Sequence, residues 1–312
     1  MRTIITGGTG VIGRALASDL ARDGHEVVLL SRAPERARGL PAGVRAERWD
    51  ARTARGWGGL ADGAAAIVNL AGESLAAGRW TPERRRAIRD SRMQAGQAVV
   101  EALRAVERQP GVLIQSSAVG YYGARVDEEL TEATPRGDDF PASVCVAWEA
   151  STAAVEQLGV RRAVIRTGIV FSRAGGALPR FLMPFRFFAG GPLGSGRQWH
   201  PWIHIADEVA AIRFLMDDTR ADGVFNLTAP RPITNAELSH LLGRLLGRPS
   251  FVPAPAFALR LAMGDMSTIV LDGQRALPHR LTALGFTFRF PDPESALRDL
   301  LGVASKPGAA RG

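Results

Sequence analysis

The sequence predicts an α/β protein with a Rossmann-type doubly wound parallel sheet and a small C-terminal cap on the substrate side. In the first half, apolar runs of strand length alternate with amphipathic stretches of helix length, the order of a parallel sheet covered on both faces. A glycine-rich turn directly follows the first apolar run. Beyond Gly168, Gly/Pro-rich segments with aromatic residues indicate insertions that carry substrate-binding elements.

Apolar periodicity predicts the elements in order. Strands are indicated at residues 4–5, 26–30, 44–48, 66–70, 112–115 and 162–166. Helices are indicated at residues 11–22, at about 81–107 and at 144–158. The second helix has a clear beginning, because Thr81 can cap it and Pro82 suits a first helical turn.

The composition is that of a globular protein, with 46% hydrophobic and 22% charged residues in a chain of 312. No apolar run approaches the ~18 residues of a membrane span, and no apolar signal region opens the sequence, so we expect a cytoplasmic protein without a membrane partner. The single cysteine, Cys145, excludes an internal disulfide and any multi-cysteine metal site.

The net charge of +8 is carried by arginine: of 39 basic residues, Lys306 is the one lysine and 38 are arginines. The densest arginine group, residues 79–92, favours a solvated helix face over a nucleic-acid surface, because no helix-turn-helix or aromatic-interleaved pattern accompanies it. We therefore expect no nucleic-acid partner. Lys306 lies in a Gly/Ala/Pro tail, which excludes Schiff-base and P-loop lysine chemistry.

The turn between the first strand and the first helix predicts a dinucleotide site. Glycines stand at positions 7, 10 and 13, where a tight turn, a close approach of pyrophosphate to backbone N–H groups and close helix–strand packing each need a residue without Cβ. The predicted cofactor-binding residues of this turn are Gly7, Thr9, Gly10, Val11, Ile12 and Gly13.

The end of the second strand favours NADP over NAD. A carboxylate there would accept bonds from the adenosine 2′-hydroxyl, whereas this chain has Ser31 and Arg32, a hydroxyl and a guanidinium suited to a 2′-phosphate. The alternative is that Arg32 only caps the strand.

Further motifs follow the later strands: Asn69-Leu70-Ala71-Gly72, Ser116-Ser117 with Tyr122-Gly123, Arg166-Thr167-Gly168, and the segment from Trp202 through His204 to Ala210. With them, nearly the whole chain resembles the short-chain dehydrogenase/reductase superfamily in its extended, epimerase-like branch. The resemblance implies that Asn69, Leu70, Ala71 and Gly72 steady the sheet beside the adenine ribose. It also implies that Ser116, Arg166 and Gly168 lie by the cofactor, and that Ser117 hydrogen-bonds a substrate carbonyl.

More narrowly, residues 116–123, 145–149 and 278–291 resemble the "epimerase family" subgroup, which has its own C-terminal domain and is described as NADP-binding oxidoreductases or epimerases. We accordingly predict an NADP-binding domain with substrate-side insertions at residues 1–253, an appendage at 254–303 and a disordered tail at 304–312. The appendage should pack on the main domain through apolar residues at helical spacing: Phe257, Leu261, Leu297 and Leu300.

The sequence departs from the superfamily pattern at one place that bears on its chemistry. Active superfamily members carry a Tyr-x-x-x-Lys pair, but Val144 and Trp148 occupy the best-matching positions here. An unassisted tyrosine, with a pKa of about 10, is phenolate in roughly one molecule in a thousand at neutral pH, a deficit near 4 kcal/mol for a general base. A neutral phenol can still protonate an alkoxide during reduction. The catalytic candidates are Ser117, Tyr121 and Tyr122, with a purely structural role for the tyrosines as the alternative.

Arg197, His200 and His204 are the substrate-binding candidates, the two histidines because the corresponding region closes over substrate in extended members. Pro201 forbids a regular helix between the two histidines, so no metal site is expected. His204 is expected to hydrogen-bond near Asp207, and Arg197 either meets an anionic group or is a surface arginine.

The leading hypothesis is an NADP-binding atypical short-chain reductase or epimerase-like oxidoreductase with a small carbonyl substrate. The alternative is a catalytically weak NADP-binding regulatory or interaction protein. The sequence leaves the substrate and the oligomeric state open.

Overall fold

A computed structural model describes residues 1–303, so the predicted disordered tail at 304–312 lies outside the described residues. Within this range no helix combines the length and apolarity needed to cross a membrane. The strands, in chain order, are β1 (Arg2–Thr6), β2 (Glu26–Ser31), β3 (Val44–Arg48), β4 (Ala66–Asn69), β5 (Val112–Ala118), β6 (Glu129–Leu130), β7 (Arg161–Thr167), β8 (Ile169–Phe171), β9 (Trp199–His200), β10 (Trp202–His204), β11 (Gly223–Leu227), β12 (Ile233–Thr234) and β13 (Arg275–Ala276).

The helices, in chain order, are α1 (Val11–Arg22), α2 (Pro82–Arg104), α3 (Phe140–Ala150), α4 (Leu178–Arg186), α5 (Ile205–Asp217), α6 (Asn235–Leu246), α7 (Ala256–Met263), α8 (Thr268–Leu271), α9 (His279–Ala283) and α10 (Pro293–Leu301). Helix α2 begins as predicted, since the Thr81 side chain accepts from the Arg84 amide and Pro82 occupies the first turn.

Seven strands form one parallel sheet in the order β11-β7-β5-β4-β1-β2-β3. The chain runs outward from β1 to β3 on one side and from β4 to β11 on the other. The strand order therefore reverses between β1 and β4, and the crevice outside the carboxyl ends of those strands is where such sheets bind ligands. The predicted doubly wound α/β fold is confirmed.

Apolar layers cover both faces of the sheet. On one face, Leu16 of α1 and Ile212 of α5 pack over strand residues such as Ile5. On the other, Val99 of α2 packs with Trp57. Because both faces are buried, the central strands contain consecutive apolar residues, such as Ile4-Ile5 of β1 and Ile67-Val68 of β4, rather than an alternating pattern.

The helix predicted at residues 144–158 is wrong in its bounds. The Asp139 side chain accepts from the Ala142 amide at 2.8 Å, so α3 begins at Phe140. It ends at Ala150, where the Ser151 hydroxyl donates to the Trp148 carbonyl and competes with the helical pattern. Residues 153–158 form a separate 3₁₀ segment.

The C-terminal segment packs on the main domain through only part of its predicted apolar set. Leu297 and Leu300 of α10 are buried in a cluster that includes Phe171 and Trp202. Phe257 and Leu261 of α7, by contrast, are 73% and 77% exposed, which corrects the prediction that they pack. Helical spacing identifies one side of a helix but does not say whether another element covers it.

Candidate cofactor and substrate site

The turn between β1 and α1 is shaped for a pyrophosphate. Gly7 has a φ of +64°, and a Cβ there would lie 2.8 Å from the Leu70 carbonyl carbon. A Cβ on Gly13 would lie 2.5 Å from the Gly8 Cα, so both positions require glycine. Gly10 occupies the N-cap of α1 without a side-chain cap, which leaves the first amides of the helix directed at the crevice.

A long cleft runs from this turn along the carboxyl edge of the sheet, in two adjoining parts of about 470 and 370 Å³. Most of the predicted cofactor-binding residues line it: Gly7, Thr9, Gly10, Ser31, Arg32, Leu70, Ala71 and Gly72 in the first part, and Gly7, Gly10, Val11, Ile12, Gly13, Leu70 and Gly168 in the second. The shared residues Gly7, Gly10 and Leu70 join the two parts, as expected for the two halves of a dinucleotide.

The first part of the cleft is rich in arginine. Arg32 lines it and pairs with Glu73 across the cleft at 3.2 Å, with 72% of the arginine side chain exposed. Arg14 and Arg36 line the same part, although the sequence reasoning did not select them. Two sequence positions could have indicated these arginines: Arg14 directly follows the glycine motif, and Arg36 lies shortly after β2.

Asn69 is buried beneath the cleft and holds three strands together. Its Oδ1 accepts from the Thr6 hydroxyl at 2.6 Å, and its Nδ2 donates to Gln115 Oε1 at 2.8 Å. The Thr6 oxygen also accepts from the Ala71 amide at 3.2 Å. This network fixes the segment after β4 that forms the cleft wall.

A third cavity, of about 170 Å³, continues from the second part of the cleft through the shared residues Gly168 and Ile169. The ends of β5 and β7 contribute Ala118 and Thr167 to its wall, and His200 also lines it. Burial lowers the pKa of His200 to about 4, so its ring is neutral at pH 7. This cavity is the candidate substrate site.

Two carboxylates line the same cavity, Asp139 and Asp272. Burial raises the pKa of Asp272, and the negative charge of Asp139 raises it further. Asp272 also borders a separate cavity lined by the predicted Arg197 and by Arg125. No sequence pattern indicated Asp272, because its place in the cavity wall depends on how the C-terminal segment packs on the main domain.

The three predicted catalytic residues meet in a buried polar network that does not line the cavities. The Ser117 hydroxyl donates to Glu149 Oε1 at 2.6 Å, and Arg166 donates to both Glu149 oxygens at 2.9 and 3.0 Å. The Tyr122 hydroxyl donates to Asn226, and the Arg166 guanidinium lies 3.3 Å from the centre of the Tyr121 ring.

Burial raises the pKa of Tyr122, so its phenol stays neutral. Arg166 is 3% exposed and belongs to this network rather than to the cleft wall. Ser116 is also buried and is not among the residues that line the cleft. The geometry thus favours structural roles for Ser116 and Arg166, while their function stays a prediction.

His204 lies outside the third cavity. Its Nδ1 accepts from the Ala206 amide at the N-cap of α5, its Nε2 lies 3.2 Å from Asp299, and its ring packs on Phe290 at 4.0 Å. The Asp207 carboxylate instead accepts from the Arg289 and Phe290 amides. His204 therefore fastens the C-terminal segment to α5.

The position that matches the superfamily lysine is filled by a stacked pair. Trp148 is buried, and the Arg92 guanidinium lies 4.7 Å from the centre of its ring. Arg92 is 7% exposed and donates to the carbonyls of Glu73 and Ile88. Across residues 1–303, no cluster of three or more His, Cys, Asp or Glu side chains could hold a metal ion.

The parallel sheet, the open helix N-terminus and the long cleft define a Rossmann-type dinucleotide-binding protein. Comparisons give the family. A model of the NAD dependent epimerase/dehydratase family matches residues 3–228, and one of a domain of unknown function, DUF1731, matches residues 254–300. The chain belongs to the NAD dependent epimerase/dehydratase family, as the sequence motifs indicated.

Individual relatives agree. The chain is 39% identical over 309 residues to the chloroplastic epimerase family protein SDR39U1 homolog of Arabidopsis thaliana, covering 96% of this chain and 87% of that protein. It is 37% identical to an epimerase family protein of Staphylococcus aureus, covering 96% and 98%.

Solved structures are similar as well. The human epimerase family protein SDR39U1, crystallised with NADPH, matches with a TM-score of 0.87 and 34% identity, over 97% of this chain and all (100%) of that one. A nucleoside-diphosphate sugar epimerase from Corynebacterium glutamicum matches with a TM-score of 0.76 and 35% identity, over 97% of this chain and 58% of that one.

Proposed function

We propose that this protein binds NADPH and uses it as an oxidoreductase of epimerase-family type on a small carbonyl substrate. The observation that carries the proposal is the continuity of the cleft: Gly168 and Ile169 belong both to the dinucleotide cleft and to the third cavity. A carbonyl in that cavity would therefore lie next to the nicotinamide end of a bound dinucleotide. The NADPH bound by the human relative supports the cofactor assignment.

The residues of the cleft fit this cofactor. The turn at Gly7 and Gly13 has no room for a Cβ at either position. The N-terminus of α1, which has no side-chain cap, offers its first amides to a diphosphate. Ser31 and Arg32, with Arg14 and Arg36, would bind a 2′-phosphate. When bound, the nicotinamide supplies the hydride, and the chain must orient the carbonyl and deliver a proton.

We expect NADPH to bind more tightly than NADH, by roughly 10- to 100-fold, because a charge-assisted hydrogen bond contributes about 1.5–3 kcal/mol. Arg32→Glu should reverse the order, since a carboxylate repels the 2′-phosphate and accepts bonds from a 2′-hydroxyl. Isothermal titration calorimetry with both cofactors measures this. Arg104→Glu, at the exposed end of α2, is the charge-matched control. Equal affinities in the unmodified protein would remove the argument.

The sequence-based assignment has Ser117 polarise the carbonyl and Tyr121 or Tyr122 give the proton. On that assignment Ser117→Ala, Tyr121→Phe and Tyr122→Phe each keep NADPH binding but reduce turnover, and alcohol oxidation near neutral pH is slower than reduction by up to ~10³. Stopped-flow measurement of NADPH oxidation with a panel of small aldehydes and ketones tests both the activity and the assignment. A triple variant as fast as the parent would reject the assignment.

A second candidate function is a catalytically weak NADP-binding regulatory or interaction protein. The Arg92–Trp148 stack favours it, because it occupies the position of the lysine that active members use. Tight NADPH binding without hydride transfer to any member of the carbonyl panel would make this the better assignment.

A further inference from the structure

Glu208 is a buried acid that no ion pair explains. It lies on α5 and is 0% exposed, and one oxygen, Oε1, is bonded at 2.9 Å to the Thr167 hydroxyl. Its other oxygen, Oε2, is buried without a hydrogen-bond partner among residues 1–303. An ionised carboxylate in such surroundings is costly, so the group is better accommodated as a neutral acid.

Thr167 connects this acid to the candidate substrate site. It is the last residue of β7, is partly exposed, and lines the third cavity beside Gly168 and Ile169, which also border the dinucleotide cleft. When Glu208 is protonated, its O–H can donate to the Thr167 oxygen. The threonine hydroxyl is then free to donate its own proton into the cavity.

The electrostatic surroundings keep Glu208 protonated at neutral pH. Burial raises its pKa to about 8, and the Thr167 bond opposes this in part. Helix α5 packs against α1, β5, β8 and β10, against β7, which carries Thr167, and against the segment at residues 286–290. The titratable groups of these elements are engaged elsewhere. Arg14 donates to the Thr9 carbonyl, Asp19 pairs with Arg22 and Arg213, and His204 caps α5 beside Asp299. Strands β5 and β8 carry no ionisable side chain.

The arginines of β7 and of the C-terminal segment also have partners other than Glu208. Arg161 donates to the Leu215 and Met216 carbonyls, Arg162 pairs with Glu156, and Arg166 pairs with Glu149. The Arg289 guanidinium lies 5.2 Å from the centre of the Phe290 ring.

We infer that Thr167 and Glu208 form a proton relay into the substrate cavity, which delivers the proton that carbonyl reduction needs. The inference rests on the proposed function. Hydride addition forms a C–H bond at the carbonyl carbon and leaves an alkoxide on the oxygen. Thr167 donates its hydroxyl proton to the alkoxide, and the Glu208 proton passes to the Thr167 oxygen. The products are the alcohol, the oxidised dinucleotide and a Glu208 carboxylate. After the alcohol leaves the cavity, a proton from solvent returns to the buried Glu208 through the Thr167 hydroxyl.

The other candidate proton donors are less well placed. Ser117 and Tyr122 do not line the cavity, and their hydroxyls donate to Glu149 and Asn226. His200 lines the cavity, but its Nε2 lies 3.1 Å from the Asn235 amide nitrogen and its ring is neutral at pH 7. Thr167 is thus the catalytic group of the relay, and Glu208 acts through it.

The test compares Glu208→Gln, which keeps the shape but cannot supply the proton, with Thr167→Val and Thr167→Ser. Glu156→Gln is the matched control, because the Glu156 carboxylate is exposed and pairs with Arg162 away from the cavity. NADPH-dependent reduction of phenanthrenequinone and small aldehydes is followed from about pH 6 to about pH 10. We expect the parent rate to fall as the pH rises through about 8, since the protonated acid is required.

At neutral pH, the rates of Glu208→Gln and Thr167→Val should be roughly 10²-fold lower than that of the parent. The rate of Glu208→Gln should also no longer decrease near pH 8. Thr167→Ser should keep the rate of the parent and its decrease near pH 8. NADPH affinity and melting temperature should be close to those of the parent in Glu208→Gln and in the control. A second readout needs no turnover. Infrared spectra of the parent should contain the C=O band of a protonated carboxyl group, and this band should disappear above about pH 8. The band should be absent in Glu208→Gln and present in the control variant.

The possible results separate the two proposals. If the parent binds NADPH but reduces no carbonyl, the proposed function fails and the relay fails with it. If the parent is active and Glu208→Gln keeps its rate and pH profile, the relay is wrong and the proposed function stands. Absence of the carboxyl band at neutral pH would mean that Glu208 is ionised, which also overturns the relay.

Discussion

A chain truncated after Val252 is expected to be insoluble or to unfold at a far lower temperature than the parent. The removed segment packs four large buried apolar side chains on the main domain, namely Leu281, Phe290, Leu297 and Leu300. Burying each contributes about 1.5–3 kcal/mol, or about 6–12 kcal/mol together, which is comparable to the whole stability of a typical domain, about 5–15 kcal/mol.

Truncation also leaves polar groups without partners. The Asp207 carboxylate is 1% exposed and would lose the Arg289 and Phe290 amides that bind it. Thermal unfolding followed by circular dichroism measures the effect. The double variant Phe257→Ser and Leu261→Ser is the control, because both side chains are exposed and should change stability by no more than about 0.5 kcal/mol. An unchanged melting temperature on truncation would show that the segment is independent.

Local patterns predicted the regular part of the fold. Helix α1 and strand β3 have the predicted bounds, because an amphipathic stretch between turn residues contains its own boundaries. Strand β5, however, extends three residues beyond the predicted end, to Ala118. Ser116 and Ser117 interrupt its apolar run, and they remain in the strand because they pair with Ile165 and Arg166 of β7, a partner that local periodicity cannot identify.

The site residues likewise fall into those that local sequence could predict and those that depend on distant contacts. The glycine turn and Arg32 were predictable, since strand, turn and helix that bind a dinucleotide are contiguous in sequence. Glu208 was not, because its importance arises from a contact with Thr167, 41 residues away, and from complete burial. Ser117 was selected by motif, but its strand turns it towards Glu149. Sequence reasoning could name the residue but not the face of the strand on which its hydroxyl lies.

Arg166→Met is expected to destabilise the protein by about 3–5 kcal/mol, because it leaves the Glu149 charge buried without its cation. The side chains of Arg166 and Glu149 are 4% and 14% exposed, and the two hydrogen bonds between them are bidentate. Replacing both partners, as in Glu149→Met with Arg166→Met, should recover stability to within about 1.5 kcal/mol of the parent, since the groups that lose a partner, the Ser117 hydroxyl and the Tyr122 oxygen, are uncharged. Urea denaturation of the parent, the two single variants and the double variant gives the coupling energy.

The same double variant decides what Arg166 does. The resemblance to extended reductases implies a contact with the cofactor, whereas the structure gives its guanidinium to Glu149, Tyr121 and Tyr122. If the structural role is correct, the folded double variant binds NADPH with the affinity of the parent in a calorimetric titration. A loss greater than about tenfold, equivalent to about 1.4 kcal/mol, would instead place Arg166 at the cofactor. A single-variant cost below about 1 kcal/mol would contradict the buried pair itself, because only solvent-screened ion pairs are that weak.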